Sequence, residues 1–170
     1  MPPVSPEADE RQQRSLEVLR AETSLPGLLH AATREFVEVV DGLACAISRV
    51  VGDVLIQVAE YARDDRTLVL GHGYLISDFP LTEVALREGE PKLVSALDEL
   101  ADRREASLLQ ELQLDSLLML PLTASEGAWG LAEIYVNGRR FDDGDVALAE
   151  PLAAAFAEQL AALPASVSAR

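Results

Sequence analysis

SLLMLPLTASEGAWGLAEIYVN, residues 116–137, consists of two apolar runs on either side of the polar turn Ser125-Glu126-Gly127. Apolar runs of this length that are separated by a glycine-containing turn are typical of a β-hairpin. In the second run, alternate residues fall on opposite faces of the strand. One of these faces is small and apolar, since it carries Gly130, Ala132, Ile134 and Val136. The stretch therefore predicts an antiparallel hairpin whose small face packs against helices.

The segments before this hairpin predict a second hairpin and a less regular middle. LACAISRVV from Leu43 and VLIQVAEYA from Val54 are joined by Gly52-Asp53, which favours a tight turn. A third strand is predicted over residues 67–77, with breaks at its glycines. Two short amphipathic patterns, LTEVALREG and REASLLQELQL, predict helices on either side of the apolar segment KLVSAL.

Longer helical patterns enclose these strands. Apolar residues recur at three- and four-residue spacing over residues 10–22, 25–40 and 142–163, which predicts amphipathic helices. Pro151 is expected to kink the last of them. The predicted organisation is a loose tail over residues 1–9, a helix over 10–24, a single domain over 25–163 and a second loose tail over 164–170.

The charge of the chain limits its partners. Its 29 acidic and 14 basic residues give a formal charge of −15, which repels nucleic acid and anionic membranes. No stretch is long and apolar enough to span a membrane, and the first residues lack the apolar core of a signal peptide. We therefore expect a cytoplasmic protein. Lys92 is the single lysine among the basic residues, a bias that indicates a bacterial genome rich in G and C.

The residues that usually carry catalysis or bind metals are scarce. Only His30 and His72 are histidines, and neither has a carboxylate or a cysteine at metal-ligand spacing. Cys45 lies in an alternating apolar strand and is predicted to be a small core residue rather than a reactive thiolate. Asp142-Asp143-Gly144-Asp145 lacks the spacing of a calcium loop and favours helix capping. The sequence thus predicts no metal site and no enzyme.

Taken in order, four segments resemble a GAF domain, a family of small-molecule-binding regulatory modules related in architecture to PAS domains. The resemblance covers residues 25–163. ELQLDSLLMLPL, WGLAEIYVN and FDDGDVALAEPLAAAFAEQL correspond to the paired strands and the closing helix, and GYLISDFPLTEVALREGEPKLVSAL corresponds to the pocket lid. The resemblance implies an α/β (α+β) fold with a central antiparallel sheet of five or six strands. Terminal helices are expected on one face of this sheet, and short helices over a pocket on the other.

The resemblance to members that bind cyclic nucleotides is partial. Those members carry an Asn-Lys pair, then Phe and Asp-Glu, and this sequence matches at Asn137, Phe141 and Asp145. It departs at Gly138 and Val146, which replace the lysine and the glutamate. The Lys–Asp ion pair of those members cannot form here, which argues against cyclic nucleotide binding. Arg139 or Arg140 is expected to take the place of the missing lysine in this pair.

Other activities of the family are also disfavoured. Members that reduce methionine sulfoxide need several cysteines, and members that attach a bilin use a pocket cysteine beside a histidine, whereas Cys45 lies between alanines. No cofactor is therefore expected, and a haem bound through His72 is the alternative.

The other face of the last strand, opposite the small apolar face, is expected to line the ligand pocket that the resemblance implies. With contributions from the lid and the neighbouring strand, the predicted ligand-binding residues are Tyr74, Ser77, Asp78, Arg87, Met119, Trp129, Glu133 and Tyr135. The alternative is that these residues fill a closed core or face water.

The width of the apolar stripe on the closing helix predicts a helical interface, because GAF domains commonly pair through their terminal helices. The predicted interface residues are Leu16, Leu19, Ala149, Ala153, Phe156 and Leu160. The sequence thus predicts a homodimeric sensor of an unknown small molecule that lacks its own output domain and signals to a separate partner protein. The alternative is an interaction or dimerisation module that binds no ligand.

Overall fold

The computed structural model describes residues 4–68, 71–98 and 103–164. Within these ranges, six antiparallel strands form one sheet in the order β3-β2-β1-β6-β5-β4. A 3-10 turn separates β3 from α3. The elements are α1 Pro6–Arg20, α2 Leu25–Val40, β1 Ala44–Val51, β2 Val54–Ala62, β3 Gly73–Leu75, the turn Ile76–Asp78, α3 Pro80–Glu88, β4 Lys92–Ser95, α4 Arg103–Glu111, β5 Ser116–Ala124, β6 Gly127–Val136 and α5 Asp143–Ala162. The predicted α/β fold with a central antiparallel sheet is confirmed.

Different helices cover the two faces of the sheet. On one face, α1, α2 and α5 pack around Phe36 and Phe156, which are both fully buried. On the other face, Ala85 of α3 and Leu109 of α4 pack with Leu117 and Leu131 of the sheet. Each face thus has its own apolar core, and strands β1, β5 and β6 contribute alternate residues to both cores.

The ends of some elements differ from the sequence prediction. α1 begins at Pro6, within the predicted tail 1–9, because the Ser5 hydroxyl accepts a hydrogen bond from the Ala8 N–H at 3.2 Å and proline suits a first helical turn. Among the described residues of the predicted third strand, 67–68 and 71–77, the strand is limited to Gly73–Leu75, and residues 69 and 70 lie outside the described residues. Residues 1–3 and 165–170 of the predicted tails lie outside the described residues.

Two aspartates and an arginine hold the start of α5. Asp142 and Asp145 form a reciprocal capping box, in which the backbone N–H of each donates to the carboxylate of the other, at 2.9 and 3.0 Å. Arg139 donates to Asp145 at 2.9 Å and to the Val40 carbonyl oxygen, at the end of α2, at 2.6 Å. Arg139 therefore occupies the predicted ion-pair position, whereas Arg140 pairs with the exposed Asp98.

Candidate functional site

A pocket lies between the sheet and the short helices α3 and α4. Its polar lining residues are Gln57, Tyr74, Thr82, Glu105, Glu133 and Tyr135. Its apolar lining residues are Leu55, Leu68, Leu75, Ile76, Phe79, Leu108 and Leu112. The interior space open to the centre of a water molecule is about 20 Å³, which is room for about one water molecule. The walls have the composition of a small-molecule site, apolar with a few convergent polar groups. Helices α3 and α4 form the lid of this pocket.

Strand β6 supplies the polar floor of the pocket. Glu133 and Tyr135 are two residues apart, so they point to the same face of the sheet. The Tyr135 hydroxyl donates to Glu133 Oε2 at 3.2 Å. Tyr135 is almost fully buried, and Glu133 keeps part of its surface accessible where it lines the pocket.

The lid helices bring a second carboxylate to the same pocket. Glu105 on α4 is almost fully buried, and its Oε1 accepts a hydrogen bond from the Thr82 hydroxyl of α3 at 2.6 Å. That hydroxyl also lies 3.7 Å from Sδ of Met119, which is the cross-strand neighbour of Glu133. The two carboxylates thus approach the pocket from opposite sides, one from the lid and one from the sheet.

Burial and charge change the protonation of this site. Desolvation, and then the charge of Glu105, raise the pKa of Glu133 to about 7, although the hydrogen bond from Tyr135 lowers it. Burial also raises the pKa of Tyr135 well above its usual value and raises that of Tyr74, so both phenols stay neutral donors. No arginine, lysine, histidine or cysteine is among the described residues that line the pocket. The site is therefore acidic, and Glu133 exchanges its proton near neutral pH.

The structure brings only some of the predicted ligand-binding residues to the pocket. Tyr74, Glu133 and Tyr135 line it, and Met119 is buried beside Thr82. The other predicted residues are placed elsewhere. Ser77 and Asp78 lie exposed in the 3-10 turn, Arg87 is exposed at the end of α3, and Trp129 lies on the opposite face of the sheet.

The position of Trp129 follows from a bulge in the second hairpin. Leu122 pairs with Gly130 and Thr123 pairs with Ala128, so Trp129 is an extra residue on β6. Its indole packs on the α5 side, with its centroid 5.4 Å from the ring of Phe156. The strict alternation that places Trp129 on the face of Glu133 is therefore wrong at this residue.

Thr82 and Glu105 were missed by sequence reasoning. Both lie on the buried side of short helices, where Thr82 shares its side with Ala85 and Glu105 shares its side with Leu109. A polar residue inside an apolar helical stripe is the signal that could have identified them, because buried polar groups need partners.

The cysteine and the histidines lie outside the pocket. Cys45 is fully buried on the face of the sheet covered by the terminal helices, as predicted for a core residue, and burial raises the pKa of its thiol well above the usual value. His72 is exposed, and its carbonyl oxygen accepts a hydrogen bond from the Gln57 N–H at 3.1 Å. In the described ranges no group of His, Cys, Asp and Glu side chains is arranged to hold a metal ion, and no helix is long and apolar enough to cross a membrane.

Most of the predicted interface residues are buried in the core of the chain itself. Leu16, Leu19, Ala149 and Phe156 are covered because α1 packs against α2 and α5 within the same chain. Ala153 and Leu160 pack against the same core and stay partly accessible. A second copy could reach only the latter two without rearranging the helices.

Comparison with known proteins shows the family and the fold. Residues 22–161 match the GAF domain family. Among curated proteins, no sequence matches this chain.

The similar solved structures include photoreceptor domains. A point mutant of the chromophore-binding domain of Stigmatella aurantiaca bacteriophytochrome, in its Pr state, superposes with a TM-score of 0.79 at 16% identity. This match covers 92% of this chain and 60% of that chain. Bacteriophytochrome RpBphP3 from the photosynthetic bacterium R. palustris gives a TM-score of 0.84 at 11% identity, over 97% of this chain and 40% of that one. The chain thus spans less than two thirds of both phytochrome structures.

A third similar structure corrects the cofactor prediction. The far-red absorbing dark state of JSC1_58120g3 holds bound biliverdin IXa and matches with a TM-score of 0.75 at 16% identity, over 88% of this chain and 97% of that one. The prediction of no cofactor, with haem at His72 as its alternative, is contradicted by this neighbour, because a domain of the same fold holds a bilin.

Proposed function

This chain belongs to the GAF domain family, and from that premise we propose that it is a sensory module whose pocket between the sheet and helices α3 and α4 binds a small molecule. The observation that carries the proposal is the convergence of Tyr74, Thr82, Glu105, Glu133 and Tyr135 on one apolar pocket. Burying a polar side chain costs free energy unless the side chain is hydrogen-bonded, and a bound ligand would supply further hydrogen bonds. The same pocket also lies under the lid that the sequence resemblance implies.

The proposed action is regulatory and involves no catalysis. Strand β6 presents Glu133 and Tyr135 to the pocket and Ile134 and Val136 to the core beneath the terminal helices. A ligand that opens the lid and shifts β6 would change the packing of α5 on the other face. Ligand occupancy is thereby coupled to the terminal helices, from which a separate partner protein would receive the signal.

A bilin does not fit the residues of this pocket. Biliverdin carries propionate carboxylates, and the described pocket lining offers no cationic side chain to bind them, while Glu105 and Glu133 would repel them. Covalent attachment needs a thiol, and Cys45 is buried on the other face of the sheet. The proposed ligand is therefore of another class.

A compound screen with a blocked pocket tests the proposal. Leu108→Trp on α4 adds bulk to the pocket wall, and Leu93→Trp adds the same indole at an exposed position of β4 outside the pocket. Compounds that raise the melting temperature of the wild type are expected to stabilise L93W equally and to leave L108W unchanged. Compounds that stabilise L108W as strongly as the wild type would contradict the assignment of the pocket.

The small volume of the pocket supports a second candidate, an interaction module that has lost its ligand. In that case every compound changes the melting temperatures of Leu108→Trp and Leu93→Trp equally, and a partner protein binds both variants.

Pairing of two copies is a further part of the proposal. Because Leu16, Leu19, Ala149 and Phe156 are buried within the chain, the proposed contact uses the accessible side of α5 around Ala153 and Leu160. Sedimentation velocity is expected to give the mass of two chains for the wild type and of one for Leu160→Glu. A wild-type mass of one chain at micromolar concentration would contradict pairing.

A further inference from the structure

We infer that the pocket selects a small organic cation, a primary or secondary amine carried on a compact apolar or aromatic body. This inference rests on the proposed function, since it names the chemical class of the ligand for the same pocket. The cavity marks the site, and the charges and shape of its walls define what it accepts.

The first argument is the charge of the described walls. Glu133 from the sheet and Glu105 from the lid face the pocket, and no described lining residue is positively charged. Two carboxylates in a poorly solvated space repel each other, so an entering cation is attracted by both. An anion would meet both carboxylates and would find no compensating charge on the described walls.

The second argument is how the two carboxylates are already bonded. Glu105 is held by the Thr82 hydroxyl at 2.6 Å, and this bond fixes the carboxylate within the lid. Among the described residues, the Glu133 side chain accepts a hydrogen bond from Tyr135 alone, at 3.2 Å. A carboxylate has room for several donors. An ammonium group carries several N–H donors, so it suits Glu133 better than an ether, an ester or a hydrocarbon does.

The third argument is the shape and polarity of the remaining wall. Tyr74 and Phe79 pack edge to face with their ring centroids 5.9 Å apart, and Leu108 and Leu112 of the lid complete an apolar lining. Such a wall suits a hydrocarbon or an aromatic ring. The interior space of the pocket has room for about one water molecule, so the ligand must be compact and the lid must move to admit it.

A further polar group without a partner among the described residues lies on the pocket side of the sheet. Ser48 is buried, and its Oγ has no hydrogen-bond partner among the described residues. It shares the face of Ala46, on the pocket side of the sheet, and pairs across strands with Gln57, which lines the pocket. A buried hydroxyl without a partner is costly. Ser48 does not itself line the pocket, so it adds polar character to the sheet beside Gln57 and is assigned no contact with the ligand.

Three probes of nearly equal shape test the inference at pH 7.5, namely benzylamine, benzyl alcohol and benzoate. Binding is measured by ligand-observed NMR or calorimetry on the full chain. Benzylamine is expected to bind at least 10-fold more tightly than benzyl alcohol, and benzoate is expected not to bind. Glu133→Gln is expected to weaken benzylamine binding at least 10-fold, a loss that corresponds to removal of one charged hydrogen bond. Glu126→Gln, in the exposed β5–β6 turn, is the matched control and should leave binding unchanged.

The outcomes separate the inference from the proposed function. If benzyl alcohol and benzylamine bind equally and Leu108→Trp abolishes both, the pocket is a ligand site and the charge preference is wrong. If benzylamine binds equally to the wild type, to E133Q and to L108W, it binds outside the pocket and the inference fails. Absence of benzylamine binding at millimolar concentration also overturns the inference, while the compound screen with L108W still tests the proposed function.

Discussion

The Thr82 hydroxyl donates a 2.6 Å hydrogen bond to Oε1 of Glu105, and this bond joins the two short helices that cover the pocket. Both side chains are buried, Thr82 on α3 and Glu105 on α4. The lid is thus fastened by a polar contact inside an apolar layer. Breaking such a contact without a replacement partner is costly because the carboxylate is buried.

Thr82→Val is expected to lower the free energy of unfolding by about 1 to 3 kcal/mol, because it removes a donor to a buried carboxylate at nearly constant shape. Urea unfolding followed by circular dichroism measures this change. Thr23→Val, at an exposed position between α1 and α2, is the control and should change the stability by less than about 0.5 kcal/mol. Equal stability of T82V and the wild type would show that the bond does not fasten the lid.

The stability of the protein should depend on pH through Glu133. Its pKa is about 7 in the folded chain against an ordinary value of 4.5, so between these values the folded state keeps a proton that the unfolded state has released. Stability from this group is complete below pH 4.5 and is lost as the pH rises through 7, by up to about 3 kcal/mol. The groups that act on Glu133 are Glu105 from α4 and Tyr135 from its own strand.

Glu133→Gln removes this dependence because the amide does not titrate. As the pH rises from 4.5 to 7.5, the wild type should therefore lose unfolding free energy relative to E133Q. Denaturant midpoints at several pH values measure this difference, and Glu126→Gln should give a curve parallel to that of the wild type. Parallel curves for E133Q would show that Glu133 is solvated and titrates normally.

Arg139 and Arg140 are adjacent arginines with different expected effects. Arg139 bonds Asp145 at 2.9 Å and the Val40 carbonyl oxygen at 2.6 Å, and so joins the ends of α2 and α5. Arg139→Ala is expected to cost about 1 to 2 kcal/mol, because it removes a charged donor from the largely buried Asp145 carboxylate and from the Val40 carbonyl oxygen. Arg140→Ala removes an exposed pair with Asp98 and should cost less than about 0.5 kcal/mol. Thermal unfolding of the two variants compares them, and equal losses would contradict the role of Arg139.

The backbone of β1 lies close against β6 at Gly130. A Cβ at this position would collide with the Ser48 carbonyl oxygen, a backbone atom that cannot move aside cheaply. Gly130→Ala is therefore expected to cost at least about 2 kcal/mol, as overpacking in a tight interior does. Ala128→Ser, at an exposed position on the same strand, is the control. An unchanged melting temperature for G130A would show that the two strands separate easily.

The sequence was sufficient to predict the architecture because its patterns were strong and local. The two hairpins, the short helices α3 and α4 and the closing helix appear where apolar periodicity and turn residues placed them. The alternation of β6 also placed Glu133 and Tyr135 correctly on the pocket side. It failed at Trp129, because a bulge adds one residue to β6 and reverses the direction of the side chain. No residue type in this stretch indicates the bulge.

The site was predictable only in part, because its lid brings distant segments together. Thr82 and Glu105 are 23 residues apart and meet only after α3 and α4 have packed on the sheet. Four of the six predicted interface residues are buried within the chain for a related reason. The apolar width of α5 is used within the chain, where Leu19 of α1 and Phe156 of α5 are both fully buried, and periodicity cannot distinguish a partner helix of the same chain from one of another copy.

The central claim, that the pocket between the sheet and helices α3 and α4 binds a small molecule, is tested most directly by native mass spectrometry of gently purified protein. The native mass of each sample is compared with its denatured mass, for the wild type and for Leu108→Trp. We expect a discrete extra mass on the wild type that denaturation releases and that L108W lacks. The same extra mass on both proteins would contradict the account, because the bound molecule would then lie outside the pocket.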